Sequence, residues 1–163
     1  MAELTNLEAK LGEVLGLAMA AQGATEKVSK LDDLDGELAQ VLERMNDEAR
    51  QAEERATEVA SAFEGKKTAI LEEAREVKQK ATKMMQDYLD RSADALDGFE
   101  FLTMAEAGEV GHWEILKTLN ERARNSGVEE LVQWGIPIQQ RHFEQVRQGS
   151  LKLAAEEDPN ETE

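Results

Sequence analysis

Apolar residues recur at three- and four-residue intervals along five stretches of this chain, and polar, glycine-containing breaks separate them. The first stripe is Leu4, Leu7, Leu11, Val14/Leu15, Ala18, Ala21, Thr25 and Val28. Thr5 and Glu8 have capping-box spacing, so a helix is predicted from residue 2 or 5 to residues 29–31. A second helix, residues 35–63, carries Leu38, Val41/Leu42, Met45, Ala49, Ala52, Ala56, Val59 and Phe63, with Gly65 as its C-terminal stop. The third, residues 68–91, has a weaker stripe of Ile70, Ala74, Val77, Ala81, Met84/Met85 and Tyr88, and is expected across or alongside a bundle. The fourth, residues 97–124, places Leu102, Ala105, Glu109, His112/Trp113, Leu116 and Leu119 on one side, with Asp97 and Glu100 spaced as its capping box. The fifth, residues 128–153, lines up Leu131, Gly135, Ile138, His142, Val146 and Gly149, and Pro137 is expected to kink or restart it. Residues 1–154 therefore read as one all-α domain, and residues 155–163 as an acidic disordered tail.

Composition agrees with helix throughout: 33% of residues are charged, 4% aromatic, and there are two prolines. Thirty-five acidic residues against 19 Lys and Arg give a net charge of −16, a field that repels nucleic acid and anionic lipid. With no cysteine, disulfides, thiolate metal sites and Cys nucleophiles are excluded. No apolar run approaches the roughly 20 residues of a membrane span, and residues 1–10 lack a basic leader, so a cytoplasmic protein is expected.

Polar residues that interrupt the stripes carry the candidate chemistry. Glu109 and His112, three residues apart, stand as a Glu-x-x-His pair on the fourth helix, the unit from which dimetal carboxylate sites in helical bundles are built. His142, with Gln139 one turn earlier, lies on the stripe of the last helix, so both histidines fall on apolar faces. A buried neutral histidine with a hydrogen-bonded partner satisfies the same pattern without any metal.

The segment 95–119, with Glu106 and Val110-Gly111-His112-Trp113-Glu114-Ile115, resembles the ferritin-like YciE/YciF family of bacterial stress-associated proteins, whose members carry Val-Glu-His-Tyr-Glu-Ile there. The stretch Gln139-Gln140-Arg141-His142 resembles the Glu-Glu-x-x-His of ferritin-like last helices, and Glu48 and Gln51 align with Glu-x-x-His on the second. The resemblance implies an antiparallel four-helix bundle with an additional helix, a homodimer, and a metal site drawn from Glu48, Glu106, Glu109, His112 and His142, with Glu26 on the first helix as a further donor. Iron or manganese would be the ion. Gly111, Gln51 and the Gln139-Gln140 pair replace ionisable ligands of that family by nothing or by neutral amides, which implies a degenerate or single-ion centre. The alternatives are a diiron or dimanganese oxidoreductase acting on oxygen or peroxide, and a metal-free acidic module whose third helix docks a basic partner.

Overall fold

The computed structural model describes residues 2–162 and is all-helical. Helices α1 (Asn6–Ser29), α2 (Gly36–Ser61), α3 (Lys67–Tyr88), α4 (Ala95–Ala123) and α5 (Ser126–Ala155) follow one another through short turns. Four of them close a ring, α1 beside α2, α2 beside α5, α5 beside α4 and α4 beside α1, while α3 packs mainly on the outside of α1. Cross-contacts fix the directions. Gln22 meets Glu53, Glu48 meets Arg141, Thr103 meets Ser150, and Lys10 meets His112, so every neighbouring pair in the ring is antiparallel. Because α3 carries the chain back along the bundle, α2 and α4 run the same way and sit diagonally. No helix of the described residues is long and apolar enough to cross a membrane.

The ends of the helices follow their caps. Thr5 and Glu8 form the expected box at α1, and the Asp35 side chain accepts from Leu38 N at α2. The α4 box is Asp94 with Asp97, so that helix begins one turn before the Asp97 start expected from sequence. Both acids satisfy the same spacing rule, and Asp94 wins because Ala95, Gly98 and Phe99 are buried. Helix α3 stops at Tyr88, short of residue 91, and Gly65 takes a φ of 72° in the turn beyond α2 rather than directly at its cap. Pro137 does not restart α5, which is continuous around it. Pro137 and Gln133 both lie on the exposed side of α5, where a carbonyl without its helical partner can turn to water. Beyond α5, residues 156–162 are exposed.

Helix α1 is buried on three sides, against α2, α3 and α4. Gly12 and Gly16 permit the α3 contact: a Cβ at Gly16 would stand 2.4 Å from the Ala74 carbonyl oxygen. On α5, Gly135 makes room for Trp113, whose ring would lie 2.2 Å from an added Cβ. Buried apolar side chains form two clusters. One, at the end holding the α1 N-terminus, includes Leu11, Leu15, Ala56, Ile70, Trp113, Leu116 and Leu131; the other includes Val28, Leu42, Met45, Phe99, Leu102 and Val146. Between them, at mid-height, sit Glu106, Glu109, Gln139 and His142, all buried. The bundle has an apolar core at each end and a polar waist.

Gly135→Ala should destabilise the fold by about 1–3 kcal/mol, since the added Cβ would overlap the fully buried Trp113 ring. Gly23→Ala, on a helical position that faces open space, should instead stabilise by about 0.5–1 kcal/mol. Urea unfolding of the two variants checks both signs.

A buried carboxyl–imidazole centre at the bundle waist

Helix α4 aims Glu106 and Glu109 inward because they share its core side with Leu102, Trp113 and Leu116. Both carboxyls are nearly fully buried, at 2% and 5% exposed, and they share a hydrogen bond. Burial, then the neighbouring Glu109 charge, holds the Glu106 carboxyl well above the carboxylate range, which favours its protonated form. Burial also raises Glu109, from the usual 4.5 to about 7. The Trp113 indole N–H, which has no partner in full hydrogen-bonding geometry, lies near enough to favour the Glu109 anion, as does the proton of Glu106.

His142 reaches the waist from α5, with one ring nitrogen toward each side. Its Nε2 lies 3.2 Å from Glu48 Oε1, and its Nδ1 lies 3.9 Å from Glu106 Oε2. Burial works against the charge of Glu48, yet hydrogen bonds from Arg141 and His142 outweigh it and hold the carboxyl below its usual range. Arg44, with Nε at 3.4 Å, adds a second cation. An ionised Glu48 only accepts, so Nε2 carries the ring hydrogen and donates to it, and Nδ1 presents its lone pair to Glu106. Burial also pulls His142 below its usual 6.5, partly opposed by Glu48. The imidazole is neutral at pH 7.

Two buried oxygens here have no protein partner: Glu106 Oε2 and Gln139 Oε1. A small cavity of about 50 Å³ reaches the carboxyl pair from between α1, α3 and α4. Its wall is Glu106 and Glu109 on one side and apolar residues such as Leu17, Ala21, Ala81 and Leu102 on the others.

Of the residues singled out in the sequence, Glu48, Glu106, Glu109 and His142 are therefore drawn to one level of the bundle. His112 is not among them. Three residues turn a helix through about 300°, so with Glu109 pointing inward His112 falls on the shoulder facing α1. There its side chain is 39% exposed and its Nδ1 lies 3.2 Å from both Lys10 Nζ and Glu13 Oε2. Glu26 is exposed too, paired with Lys30 at 3.1 Å, so α1 brings no carboxylate to the waist. Gln139 is buried where the stripe pointed to Ile138, and Arg141 was not foreseen as the partner of Glu48. The Arg44–Glu48 spacing of four was a signal that this glutamate would be held by cations. No protein-family profile, curated protein or solved structure matches the chain.

The pair leaves a signature in stability against pH. A folded pKa raised to about 7 for Glu109 means its contribution is full below about 4.5 and is lost as pH rises through 7; Glu106 extends the loss to higher pH. His142, lowered, contributes above 6.5 and loses that as pH falls. The double variant Glu106→Gln/Glu109→Gln should be more stable than the parent at pH 8, by a few kcal/mol at most, and show no advantage at pH 4. Denaturant midpoints at the two pH values test this; equal differences at both would contradict the shared buried proton.

Proposed function

We propose that the protein is a ferritin-like bundle, akin to the stress-associated family it resembles, whose dimetal centre is reduced to a one-ion or proton-holding site. What supports this most directly is Glu106 Oε2, a buried carboxyl oxygen without a protein partner, facing the lone pair of His142 Nδ1 at 3.9 Å. The ring of α1, α2, α4 and α5 with a crossing helix outside it agrees with the same reading. Assembly as a dimer belongs to it.

The residues present fit one divalent ion in number and kind, and do not fit two. Glu106 and Glu109 would supply charge, His142 an imidazole nitrogen and Gln139 a carbonyl oxygen. Glu48 is committed to Arg141, Arg44 and His142. A second ion would have no carboxylate left to bridge or neutralise it. Among the described residues no three acidic or histidine side chains converge as a ready-made ligand set, so an ion would require Glu106 to release its proton and turn. When bound, such an ion would supply Lewis acidity or redox chemistry at the inner end of the small cavity. Without it, Glu109, Glu106, His142 and Glu48 still form a row of groups able to hold and pass a proton between the cavity and the Arg141 side of α5. The oxidoreductase reading needs the two-ion centre and is the weaker one; the cavity beside the carboxyls is what favours it. A basic partner for the charged face of α3 has no structural feature of its own in support.

Because an ion competes with the shared proton, Mn(II) or Fe(II), added anaerobically, is expected to raise the unfolding temperature at pH 8 and much less at pH 6. At a hundredfold excess over the dissociation constant the gain would be about 2.7 kcal/mol. Glu106→Gln should abolish it, and His112→Ala should leave it intact. Equal, small shifts in parent and Glu106→Gln protein would sink the one-ion reading and leave a metal-free polar waist.

A further inference from the structure

The outward face of α4 is a feature that the waist does not explain. Met104, Gly108, Gly111 and Ile115 lie on it at intervals of four, three and four, the spacing of a left-handed helix-pair seam. Met104 and Ile115 are 48% and 47% exposed. Gly108 and Gly111 meet nothing within 4 Å of an added Cβ, unlike Gly12, Gly16, Gly98, Gly135 and Gly149, each of which is crowded by a neighbour in the chain. Two glycines three residues apart inside a long helix, flanked by two exposed apolar side chains, make no close contact within the single chain.

We infer that this face is the seam of a homodimer in which α4 packs antiparallel against α4 of a second copy about a two-fold axis between residues 109 and 110. The register follows from the residues. With the axis there, Gly108 faces Gly111, Met104 faces Ile115 and Asp97 faces Arg122 of the other copy. Each apolar or small position meets another, and the acid at one end meets the base at the other. Arg122 is exposed and has no ion pair among the described residues. A parallel pairing would set Asp97 against Asp97 and Arg122 against Arg122, so charge selects the antiparallel one. The glycines let the two backbones approach at the centre, and the shallow crossing that this spacing favours, about 20°, keeps the Asp97–Arg122 ends within reach. Tyr88, packed on Phe101 with ring centroids 5.5 Å apart and itself 46% exposed, extends the apolar surface at each end. A net charge of −16 on each copy opposes association, and a single-helix seam is small, so the dimer is a weak one.

The inference deepens the dimer within the proposed function but does not depend on the metal reading, since none of the seam residues belongs to the waist. The chain lacks cysteine, which makes the register directly testable. Protein carrying Met104→Cys is mixed with protein carrying Ile115→Cys under mild oxidation, beside each variant alone. A disulfide-linked species is expected in the mixture and in neither variant by itself. Sedimentation of the unmodified full chain over a concentration series, in about 0.15 M salt to shorten the range of the charge repulsion to about 8 Å, should show monomer–dimer exchange. Gly111→Arg should be monomeric throughout with unchanged helical circular dichroism, because its side chain enters open space in the single chain. A parent protein monomeric at its highest soluble concentration overturns the inference. So does cross-linking of one variant alone, or a Gly111→Arg protein that still dimerises.

Discussion

The fold is built around two acids and an imidazole buried where four helices would ordinarily place leucine. A carboxylate taken from water into such a place costs several kcal/mol, and the waist reduces that cost by shifting both Glu106 and Glu109 toward their neutral forms and leaving His142 neutral. Full charge appears only at the edge, on Glu48, where Arg141 and Arg44 stand against it. Buried polarity is therefore graded, from neutral at the centre to ionised near solvent.

The two apolar clusters make that arrangement tenable. Trp113, Leu116 and Leu131 close the bundle on one side of the waist, and Phe99, Leu102 and Val146 on the other. Between these blocks the helices cannot slide by a turn without exchanging a carboxyl for a leucine, so the polar layer also sets their register. Gly135 against Trp113 and Gly149 against Phe99 fix the α4–α5 separation on either side of His142. The same rigidity leaves Glu106 Oε2 and Gln139 Oε1 without protein partners. A fold selected for stability alone would have filled those positions with apolar side chains, and this is why the waist rather than the charged exterior is the place to look for function.

Much of this was legible from residue spacing. The five helices, the core residues Leu38, Leu42, Met45, Ala49, Ala52 and Ala56 of α2, the Thr5–Glu8 box and the inward placement of Glu109 and His142 all follow from the period of 3.6 and from capping chemistry. Periodicity locates a stripe to within about one residue, however, and that residue mattered. It pointed to Ile138 and Leu119 where the structure buries Gln139 and Asn120. Asn120 is held inside because its side chain donates to the Asn125 carbonyl and accepts from Asn125 N, bracing the α4–α5 turn where Arg124 takes a φ of 55°.

The sequence by itself determined that the chain is helical, where each helix starts and stops to within a turn, and that acids and histidines interrupt its apolar faces, because these depend on neighbours along one helix. It did not determine which interruptions meet. His112 and Glu109 share a helix and a spacing yet part company, since a 60° difference in direction sends one to the centre and the other to Lys10 and Glu13 on α1. Glu48, Glu106 and His142 come from three helices and lie up to 94 positions apart along the chain. Only the packing angles and heights of the helices, which no local pattern encodes, bring them to one level.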